Sequence, residues 1–475
     1  MANSIKEFDH YTKVVSQYID NLSYDELPGD IIEQVKIITL HTLAAGISSF
    51  STDQAKKIIG FVETKGGRGE ATVWGGSGKK VPSEEAVLAN GTMADILDWE
   101  DCAWTGHPSA GAVPVALAES EALGRSGREF IEAVTAAYEI YTRVAMSMQP
   151  TRESIFEKKM MWGLVSWQII SAQVASAKLR KLSLDKLQQS FGAAYYQTIA
   201  PGIKHSVGTA TSDIYHYAHG FCARNGVTAV KIADLGFDNL YDALDDWNGL
   251  WNTVSDNVDW DWIDRNLGGE YLIKETLLKH WPANVWNQGP VDTIARLVED
   301  NEFSVEEIES IAISPNVGSK MTGYHKTTRK ILDAQFSIPY CVCVYLLDRD
   351  PRNWFTEEMR NNEKLIELTK KVVGSGREYT TRELFELFQS GSFPEVKISI
   401  SLRDGKEIST ILQFPKGHPK NPYTLEEETE HFRFISDDVL GPEKTQLIID
   451  KITHLEEIGD MGELAVLLSD KEVQA

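Results

Sequence analysis

The sequence predicts a mainly α protein, in which both chain ends form one large all-helical domain and the middle of the chain forms a smaller α+β lid domain. Apolar residues at helical spacing dominate residues 1 to about 265, and the same spacing returns from Leu425 to about Leu468. Between these parts, alternating β-branched segments appear. We therefore assign residues 1–267 and 413–475 to the helical domain and residues 268–412 to the lid domain.

Individual helices of the first part can be predicted in order. Ile31–Ala45 carries apolar residues at helical spacing, and Thr105–Leu123 is rich in Ala, Val and Leu. The segment GLVSWQIISAQVASAKL (163–179) is apolar and Ala-rich, which predicts a helix buried on most sides. Ser183 precedes another helical pattern and is the expected N-cap.

The middle of the chain mixes strand and helix signals. IESIAISPN (308–316) alternates like a strand, and Glu357–Val373 reads as a helix. EVKISISL (395–402) and EISTILQF (407–414) flank an Asp-Gly turn, which predicts a β-hairpin. These elements predict an α+β insertion between the two helical parts.

Composition narrows the classes of function. The 475 residues suit two domains, and 42% hydrophobic with 25% charged residues is typical of a soluble globular protein. Lys+Arg is 47 and Asp+Glu is 70, a formal charge of −23. Such a surface repels nucleic acid and anionic membranes, so we expect neither as a partner. A pocket for a carboxylate must then be made by local cations.

Localisation and cysteine use are simple to predict. No apolar run reaches the roughly 18 residues of a membrane helix, and the start, MANSIKEFDHY, lacks a signal segment. We expect a cytoplasmic protein. The four cysteines form no CxxC pair, and Cys341 and Cys343 lie in an apolar run where burial is expected. This pattern predicts neither disulfides nor a structural zinc site.

The segment 90–119 is the first candidate site. Asp98, Glu100, Asp101 and His107 lie within ten residues, in a loop interrupted by glycine and proline between predicted helices. Clustered carboxylates push one another's pKa values apart, and histidine titrates near neutrality, so the loop suits acid–base chemistry. The alternative is a polar loop with a structural histidine.

Two further stretches concentrate cations. Residues 200–237 contain Lys204, His205, His216 and His219, which suit anion binding or acid–base chemistry, or are satisfied core residues. The histidine spacing matches no zinc pattern, and we predict no metal. Lys279, in LLKHWPANVWNQ, lies at the predicted domain junction, where it either reaches a cleft or ends a helix.

Familiar cofactor and nucleophile motifs are missing from the sequence. No GxGxxG follows a predicted strand and no GxSxG is present, so nothing indicates a nicotinamide, a flavin or a serine nucleophile. The glycine-rich VWGGSGKKVPS (73–83) lacks the spacing of a phosphate-binding loop and is expected to be a surface turn.

Taken in order, several short stretches resemble the MmgE/PrpD family, which includes 2-methylcitrate dehydratase, cis-aconitate decarboxylase and iminodisuccinate epimerase. The resemblance runs through nearly the whole chain. The matching stretches are Asn90-Gly91, Asp98-Trp99-Glu100-Asp101, His107-Pro108-Ser109, Cys222–Val227 with Gly236-Phe237, Leu278–Pro282, Ala334 with Ser337 and Tyr340, and Asn421-Pro422 with Phe432-Arg433.

The resemblance implies a helical domain with an α+β lid, a homodimer, and an active site between the two domains. It also implies chemistry without a cofactor on a small carboxylic acid, in which a proton next to a carboxylate is removed and elimination, decarboxylation or epimerisation follows. Carried over residue by residue, Asp98, His107 and Lys279 match the family's loop aspartate, loop histidine and motif lysine.

The sequence also departs from the family pattern. Trp162 stands where a histidine is usual, and Tyr215, with His216 beside it, stands where a lysine is usual. We predict Tyr215 or His216 as the second acid–base group, and Lys204 and His205 as replacement charge for substrate binding. Cys102 lies near the family's loop threonine.

Tryptophans and one tyrosine complete the predicted binding residues. Trp104 and Trp162, with Trp281 and Trp286, are expected to face one cleft, and Tyr324 is a further substrate-binding candidate. Indole faces favour aromatic, apolar or cationic groups, so we hypothesise a substrate less anionic than citrate-like acids. The alternative function is a catalytically altered family member that binds a small molecule.

Overall fold

The computed structural model describes residues 11–103, 106–147, 168–198, 212–245, 258–316, 330–380, 383–384, 386–387 and 390–469. Up to residue 264 the α-helices of the described chain are interrupted by loops and by one two-residue strand, so the predicted helical character is confirmed. Its helices are α1 (Tyr11–Asn21), α2 (Gly29–Ser48), α3 (Asp53–Glu63), α4 (Ser83–Asp95), α5 (Ser109–Leu123), α6 (Gly127–Ser147), α7 (Gln168–Arg180), α8 (Leu184–Tyr196), α9 (Ile214–Asp234) and α10 (Asp261–Asp264).

Local sequence signals explain several of these helices. The described part of the predicted 163–179 helix is α7, and its residues from Gln168 to Ala177 are all buried, which confirms the prediction of a helix enclosed on most sides. Ser183 caps α8, since its side chain accepts a hydrogen bond from the Lys186 N–H. At the end of α5, Gly124 takes the left-handed conformation with φ 62° that favours glycine.

Helix α9 packs unusually close to α4 because glycines face each other at the crossing. A Cβ on Gly220 would lie 2.2 Å from the Leu88 carbonyl oxygen, and a Cβ on Gly91 would lie 3.0 Å from the Gly220 Cα. Only glycine permits this backbone contact. The close crossing brings the N-terminal half of α9 against the C-terminal end of α4.

The middle of the chain contains the larger of two small sheets. The strands are β1 (Asp101–Cys102), β2 (Leu277–Leu278), β3 (Ile308–Ser314), β4 (Val372–Gly374), β5 (Val396–Leu402) and β6 (Glu407–Leu412). The four-stranded sheet has the order β4-β3-β5-β6, and the predicted strand at 308–316 and the predicted hairpin are confirmed as β3 and β5–β6. β4 runs parallel to β3, and the other neighbours are antiparallel.

The helices of this part pack against one another and against the sheet. They are α11 (Val285–Asp300), α12 (Ile331–Gln335), α13 (Ile338–Leu347), α14 (Glu357–Arg360) and α15 (Glu363–Thr369). The prediction of one helix over Glu357–Val373 is wrong in two respects. Asn362 caps a new helix, because its side chain accepts a hydrogen bond from the Leu365 N–H, and Val372 and Val373 pair with β3. Cys341 and Cys343 are buried in α13, as expected.

The C-terminal helices return to the beginning of the chain. They are α16 (Leu425–Leu440), α17 (Pro442–Thr453) and α18 (Gly462–Ala465); α16 and α17 pack against α2, and α18 packs against α5. The segment after α17 passes very close to the start of α6. A Cβ on Gly127 would lie 1.6 Å from the Leu455 carbonyl oxygen. One continuous set of buried apolar residues includes Ile38, Phe432 and Ile400. It therefore joins the helical ends to the sheet.

Among the described helices, none has the length and apolar character needed to cross a membrane.

Candidate active site

The loop between α4 and α5 is fixed at both ends and turned inward. Asp98 has φ 53°, a left-handed conformation that is uncommon outside glycine, and its N–H donates to the Asp95 carbonyl at 2.8 Å. Asp101 and Cys102 pair with Leu278 and Leu277 as the antiparallel strands β1 and β2. The pairing places Lys279 directly beside the loop.

Lys279 is the cation of the site. Its ammonium group donates a hydrogen bond to Asp98 Oδ1 and another, of 2.6 Å, to Glu100 Oε1. All three side chains are 0% exposed. The Lys279 backbone N–H also donates to the Glu100 carbonyl at 3.1 Å. The second carboxylate oxygens, Asp98 Oδ2 and Glu100 Oε2, have no hydrogen-bond partner among the described residues.

His107 extends the cluster toward α9. Its Nδ1 lies 2.6 Å from Glu100 Oε1 and 2.7 Å from the Asp101 carbonyl oxygen, both of which are acceptors, so Nδ1 carries a proton. Its Nε2 lies 3.1 Å from the Tyr215 hydroxyl. In the neutral imidazole, Nε2 therefore accepts the Tyr215 O–H hydrogen bond.

A second carboxylate–histidine group adjoins the first. His216 Nδ1 lies 2.7 Å from Asp95 Oδ2, and His219 Nε2 lies 3.5 Å from Asp95 Oδ1. Asp95 ends α4 and both histidines lie on α9, so the close crossing at Gly220 makes these contacts. The sequence analysis named His219 only within the candidate stretch 200–237 and did not single out Asp95. The three-residue spacing of His216 and His219 puts both on one helix face, a signal that pairs His219 with His216.

Burial and neighbouring charges set opposite pKa shifts on the two carboxylates that contact Lys279. Burial raises the pKa of Asp98 to about 6, although Lys279 opposes the shift. Burial also disfavours ionised Glu100, but Lys279 and His107 outweigh it and lower the pKa of Glu100 well below its usual range. Burial disfavours charged Lys279 as well, yet Asp98 and Glu100 raise its pKa. Near neutrality, Glu100 and Lys279 are ionised and Asp98 is close to its titration range.

Burial favours the neutral forms of Asp95 and its neighbours. Burial, reinforced by the charges of Glu100 and Asp98, raises the pKa of Asp95 well above its usual range. Burial lowers the pKa of His216 to about 4. Burial likewise raises the pKa of the Tyr215 phenol.

Asp101 and Cys102 have supporting positions. Asp101 accepts hydrogen bonds from the Ser109 hydroxyl at 2.7 Å and the Tyr138 hydroxyl at 2.6 Å, which tie the loop to α5 and α6. Burial raises the pKa of the Cys102 thiol to about 12, so it stays protonated and is a poor nucleophile.

The acid–base cluster has enough ligand atoms close together for a metal ion, but a lysine ammonium group already lies among them. One ligand atom each from Asp95, Asp98, Glu100 and His107 lie within 4.8 Å of one another. The Lys279 ammonium already contacts two of these carboxylates and supplies the positive charge that a metal would bring.

The structure places some predicted residues together and leaves others undescribed. Of the predicted catalytic residues, it brings together Asp98, His107, Lys279, Tyr215 and His216. The predicted substrate-binding residues, Trp104, Trp162, Lys204, His205 and Tyr324, lie outside the described residues.

Two tryptophans that were expected to face the cleft have packing partners within the middle part of the chain. Trp281 stacks on Trp354 with ring centroids 5.3 Å apart and donates a hydrogen bond of 2.7 Å to Asp292. Trp286 packs against Phe393 at 6.0 Å. Both indoles therefore contribute to packing in this part of the chain.

Comparison with known proteins identifies the family of the chain. Residues 13–263 match the model of the MmgE/PrpD N-terminal domain, and residues 281–456 match that of the MmgE/PrpD C-terminal domain. Curated relatives include cis-aconitate decarboxylases. Those of Mus musculus and Homo sapiens are each 24% identical, over 98% and 96% of this chain and 94% of each relative. That of Aspergillus terreus is 21% identical over 96% of both chains. The chain belongs to the MmgE/PrpD family.

Proposed function

We propose that the protein is a cofactor-independent lyase of the dehydratase or decarboxylase type, which removes a proton next to a carboxylate of a small carboxylic acid. The family and the relatives named cis-aconitate decarboxylase support this reaction class. The observation that carries the proposal is the buried Lys279 ammonium between Asp98 and Glu100, with one Asp98 oxygen unpartnered among the described residues.

Asp98 is the proposed base. A general base works best when its pKa lies near the working pH, and the Asp98 pKa of about 6 satisfies this condition. Its Oδ1 is held by Lys279, which leaves Oδ2 to take the substrate proton. The left-handed backbone at φ 53° turns this carboxylate into the cluster.

Lys279 and the His107–Tyr215 pair complete the proposed reaction. When the proton moves to Asp98, the electron pair of the broken C–H bond spreads into the substrate carboxylate, and the ammonium stabilises that charge. In an elimination, that pair forms the new C=C bond as the C–O bond breaks, and the leaving oxygen takes the Tyr215 hydroxyl proton, which until then is donated to His107 Nε2. A decarboxylation involves no prior removal of a proton: the C–C bond to the carboxylate breaks, CO₂ departs, the bonding pair stays on carbon, and the same phenol protonates that carbanion. Epimerisation would instead return a proton to the opposite face.

The charge of the described site supports a substrate less anionic than citrate-like acids. Among the described residues, the Lys279 ammonium is already shared by the carboxyl groups of Asp98 and Glu100. Each additional substrate carboxylate would be repelled by Glu100, whose pKa is lowered so that it is ionised at neutral pH.

The test is a proton–deuterium exchange screen. Small carboxylic acids, including cis-aconitate and 2-methylcitrate, are incubated with the full-length protein in heavy water, and loss of the proton next to the carboxylate is followed by NMR. We expect washout with a mono- or dicarboxylic acid that disappears in Asp98→Asn. Washout that persists in Asp98→Asn would contradict the assigned base.

Two other outcomes of the screen test the hypothesis of a less anionic substrate and the alternative function. Rapid turnover of cis-aconitate or 2-methylcitrate would refute the hypothesis of a less anionic substrate. Binding of a carboxylic acid without any exchange across a broad panel would favour the alternative function, a small-molecule-binding protein.

A further inference from the structure

A second group of potential ligands lies behind the catalytic loop. His41 is on α2, and Glu428 and His431 are on α16, which packs along α2. Glu428 and His431 are three residues apart and so face the same side of their helix. One ligand atom from each of the three lies within 4.8 Å of the others, and the side chains of His41, Glu428 and His431 are 1%, 0% and 10% exposed. We call this set the α2–α16 triad.

The two histidine–carboxylate distances of the triad are longer than three other such contacts among the described residues and shorter than that of His219 with Asp95. His41 Nδ1 and His431 Nδ1 each lie 3.1 Å from Glu428 Oε1. By contrast, the pairs that include His107, His216 and His280 measure 2.6, 2.7 and 2.8 Å. Charge-assisted hydrogen bonds are usually about 2.7–2.9 Å long. Both triad distances are longer than this range.

The same distances suit ligands of one metal ion. Zinc bonds of about 2.0–2.1 Å in a tetrahedron separate neighbouring ligand atoms by about 3.3 Å and two imidazole ring centres by about 5 Å. In the triad, each histidine Nδ1 lies 3.1 Å from Glu428 Oε1, and the rings of His41 and His431 are 5.4 Å apart. Two histidines with one carboxylate are also a ligand set that zinc accepts.

Unpartnered atoms and an outer hydrogen bond give independent support. Glu428 Oε2 is buried and has no hydrogen-bond partner among the described residues. His41 Nε2 lies 3.3 Å from the Glu100 carbonyl oxygen. Metal-bound histidines usually donate their other ring N–H to a carbonyl or carboxylate, and a metal on Nδ1 would leave Nε2–H to do so.

We propose that His41 Nδ1, Glu428 Oε1 and His431 Nδ1 form a structural site for a zinc-like divalent cation. The cation joins α16 to α2 and, through His41, holds the Glu100 carbonyl of the catalytic loop. The acid–base cluster is not a comparable cation site, because the Lys279 ammonium is already there. The inference goes beyond the proposed function, since the metal takes no part in the proton transfer.

The experiment measures metal binding rather than turnover. Full-length protein is dialysed against a chelator and titrated with Co²⁺, and bound metal is counted by mass spectrometry. We expect one Co²⁺ per chain, with the visible absorption of four-coordinate cobalt, and its displacement by Zn²⁺. Glu428→Gln should weaken binding by more than about 100-fold, since even outer-shell partners of a metal contribute about 10- to 100-fold. The matched control is Glu430→Gln, an exposed carboxylate on the same helix, which should bind as the wild type does.

Three results would contradict the proposed metal site. These are a wild-type protein that binds no cobalt, one that shows only the weak absorption of six-coordinate cobalt, or equal affinity in Glu428→Gln and wild type. If Glu428→Gln does not fold, His431→Cys provides the second test, because a thiolate remains a zinc ligand. That variant should keep the metal and gain a sulfur-to-cobalt charge-transfer band, and absence of the band would count against the site.

Discussion

Replacing Lys279 by methionine is the most direct test of how the site is held together. The substitution keeps an unbranched side chain as far as the position of the lysine Cε and removes the ammonium group from between Asp98 and Glu100. Two carboxylates then remain buried without their shared cation. Breaking a buried ion pair in this way typically costs about 3–5 kcal/mol, because the remaining charge loses its compensation.

The size of the protein converts this cost into a small but measurable shift in melting temperature. Unfolding entropy near Tm is about 2.1 cal/mol/K per residue, so 475 residues correspond to about 1 kcal/mol/K. We therefore expect Lys279→Met to lower Tm by about 3–5 °C at neutral pH.

The loss should also depend on pH, with a defined sign. In the wild type, burial raises the pKa of Asp98 to about 6, so the cost of ionising it on folding grows up to that pH and is constant above it. Without Lys279 the pKa values of Asp98 and Glu100 rise further, so the cost keeps growing above pH 6. The Tm difference between Lys279→Met and wild type should therefore be larger at about pH 8 than at about pH 5.5.

The assay is thermal unfolding by circular dichroism at both pH values, with Lys274→Met as the matched control. Lys274 lies 2.6 Å from Asp30, the same distance as Lys279 to Glu100, but these side chains are 52% and 58% exposed. An exposed pair contributes at most about 1 kcal/mol, so the control should lose about 1 °C or less. Equal shifts in the two variants, or a Lys279→Met shift that does not change with pH, would refute the reasoning.

Three further predictions concern the reaction and the fold. Exchange by the wild type should rise as pH increases through about 6, because Asp98 accepts a proton only when ionised, and Asp98→Asn should lower the rate by about 100- to 10,000-fold. Tyr215→Phe should lower the rate of the full reaction by about 100-fold and leave proton washout largely intact, since only the acid is lost. Gly127→Ala should lower Tm by about 1–3 °C, because its Cβ would meet the Leu455 carbonyl, whereas Gly29→Ala, with no atom within 4 Å, should not.

Each of these predictions has a result that contradicts it. A flat pH–rate profile between about pH 5 and about pH 8 would exclude Asp98 as the titrating base. Equal loss of washout and turnover in Tyr215→Phe would show that the phenol is needed before the leaving group departs. An unchanged Tm in Gly127→Ala would mean that the segment around Leu455 does not pack tightly against α6.

Much of the fold could be predicted because short-range patterns decide the type of an element. The hairpin β5–β6 follows from alternation around Asp-Gly, and the start of α8 follows from Ser183. The break at Asn362 was missed because a cap inside a helical pattern changes the backbone without changing the apolar period. Val372 and Val373 were assigned to a helix because their strand depends on a partner, β3, about sixty residues earlier in the chain.

The loop of the candidate site was predicted from the same kind of local signal. Asp98, Glu100, Asp101 and His107 are close in sequence, so their density was visible without a structure. The residues that lie next to this loop but come from distant parts of the sequence were harder to predict. Asp95 contacts His216 only because α4 and α9 cross closely. The α2–α16 triad joins residues from both ends of the chain, and the cysteine pattern gives no sign of such a group.

By itself, the sequence determined most element types, the family resemblance and the position of the titratable loop at 90–119. The tertiary structure alone decided which cation contacts the loop and which carboxyl pKa values rise or fall. Lys279 lies 179 residues after Glu100 in the chain, yet it is the ammonium that lowers one carboxyl pKa while burial raises that of Asp98. The physical reason is that a pKa depends on solvent exclusion and on charges within a few ångströms, and only packing brings those together.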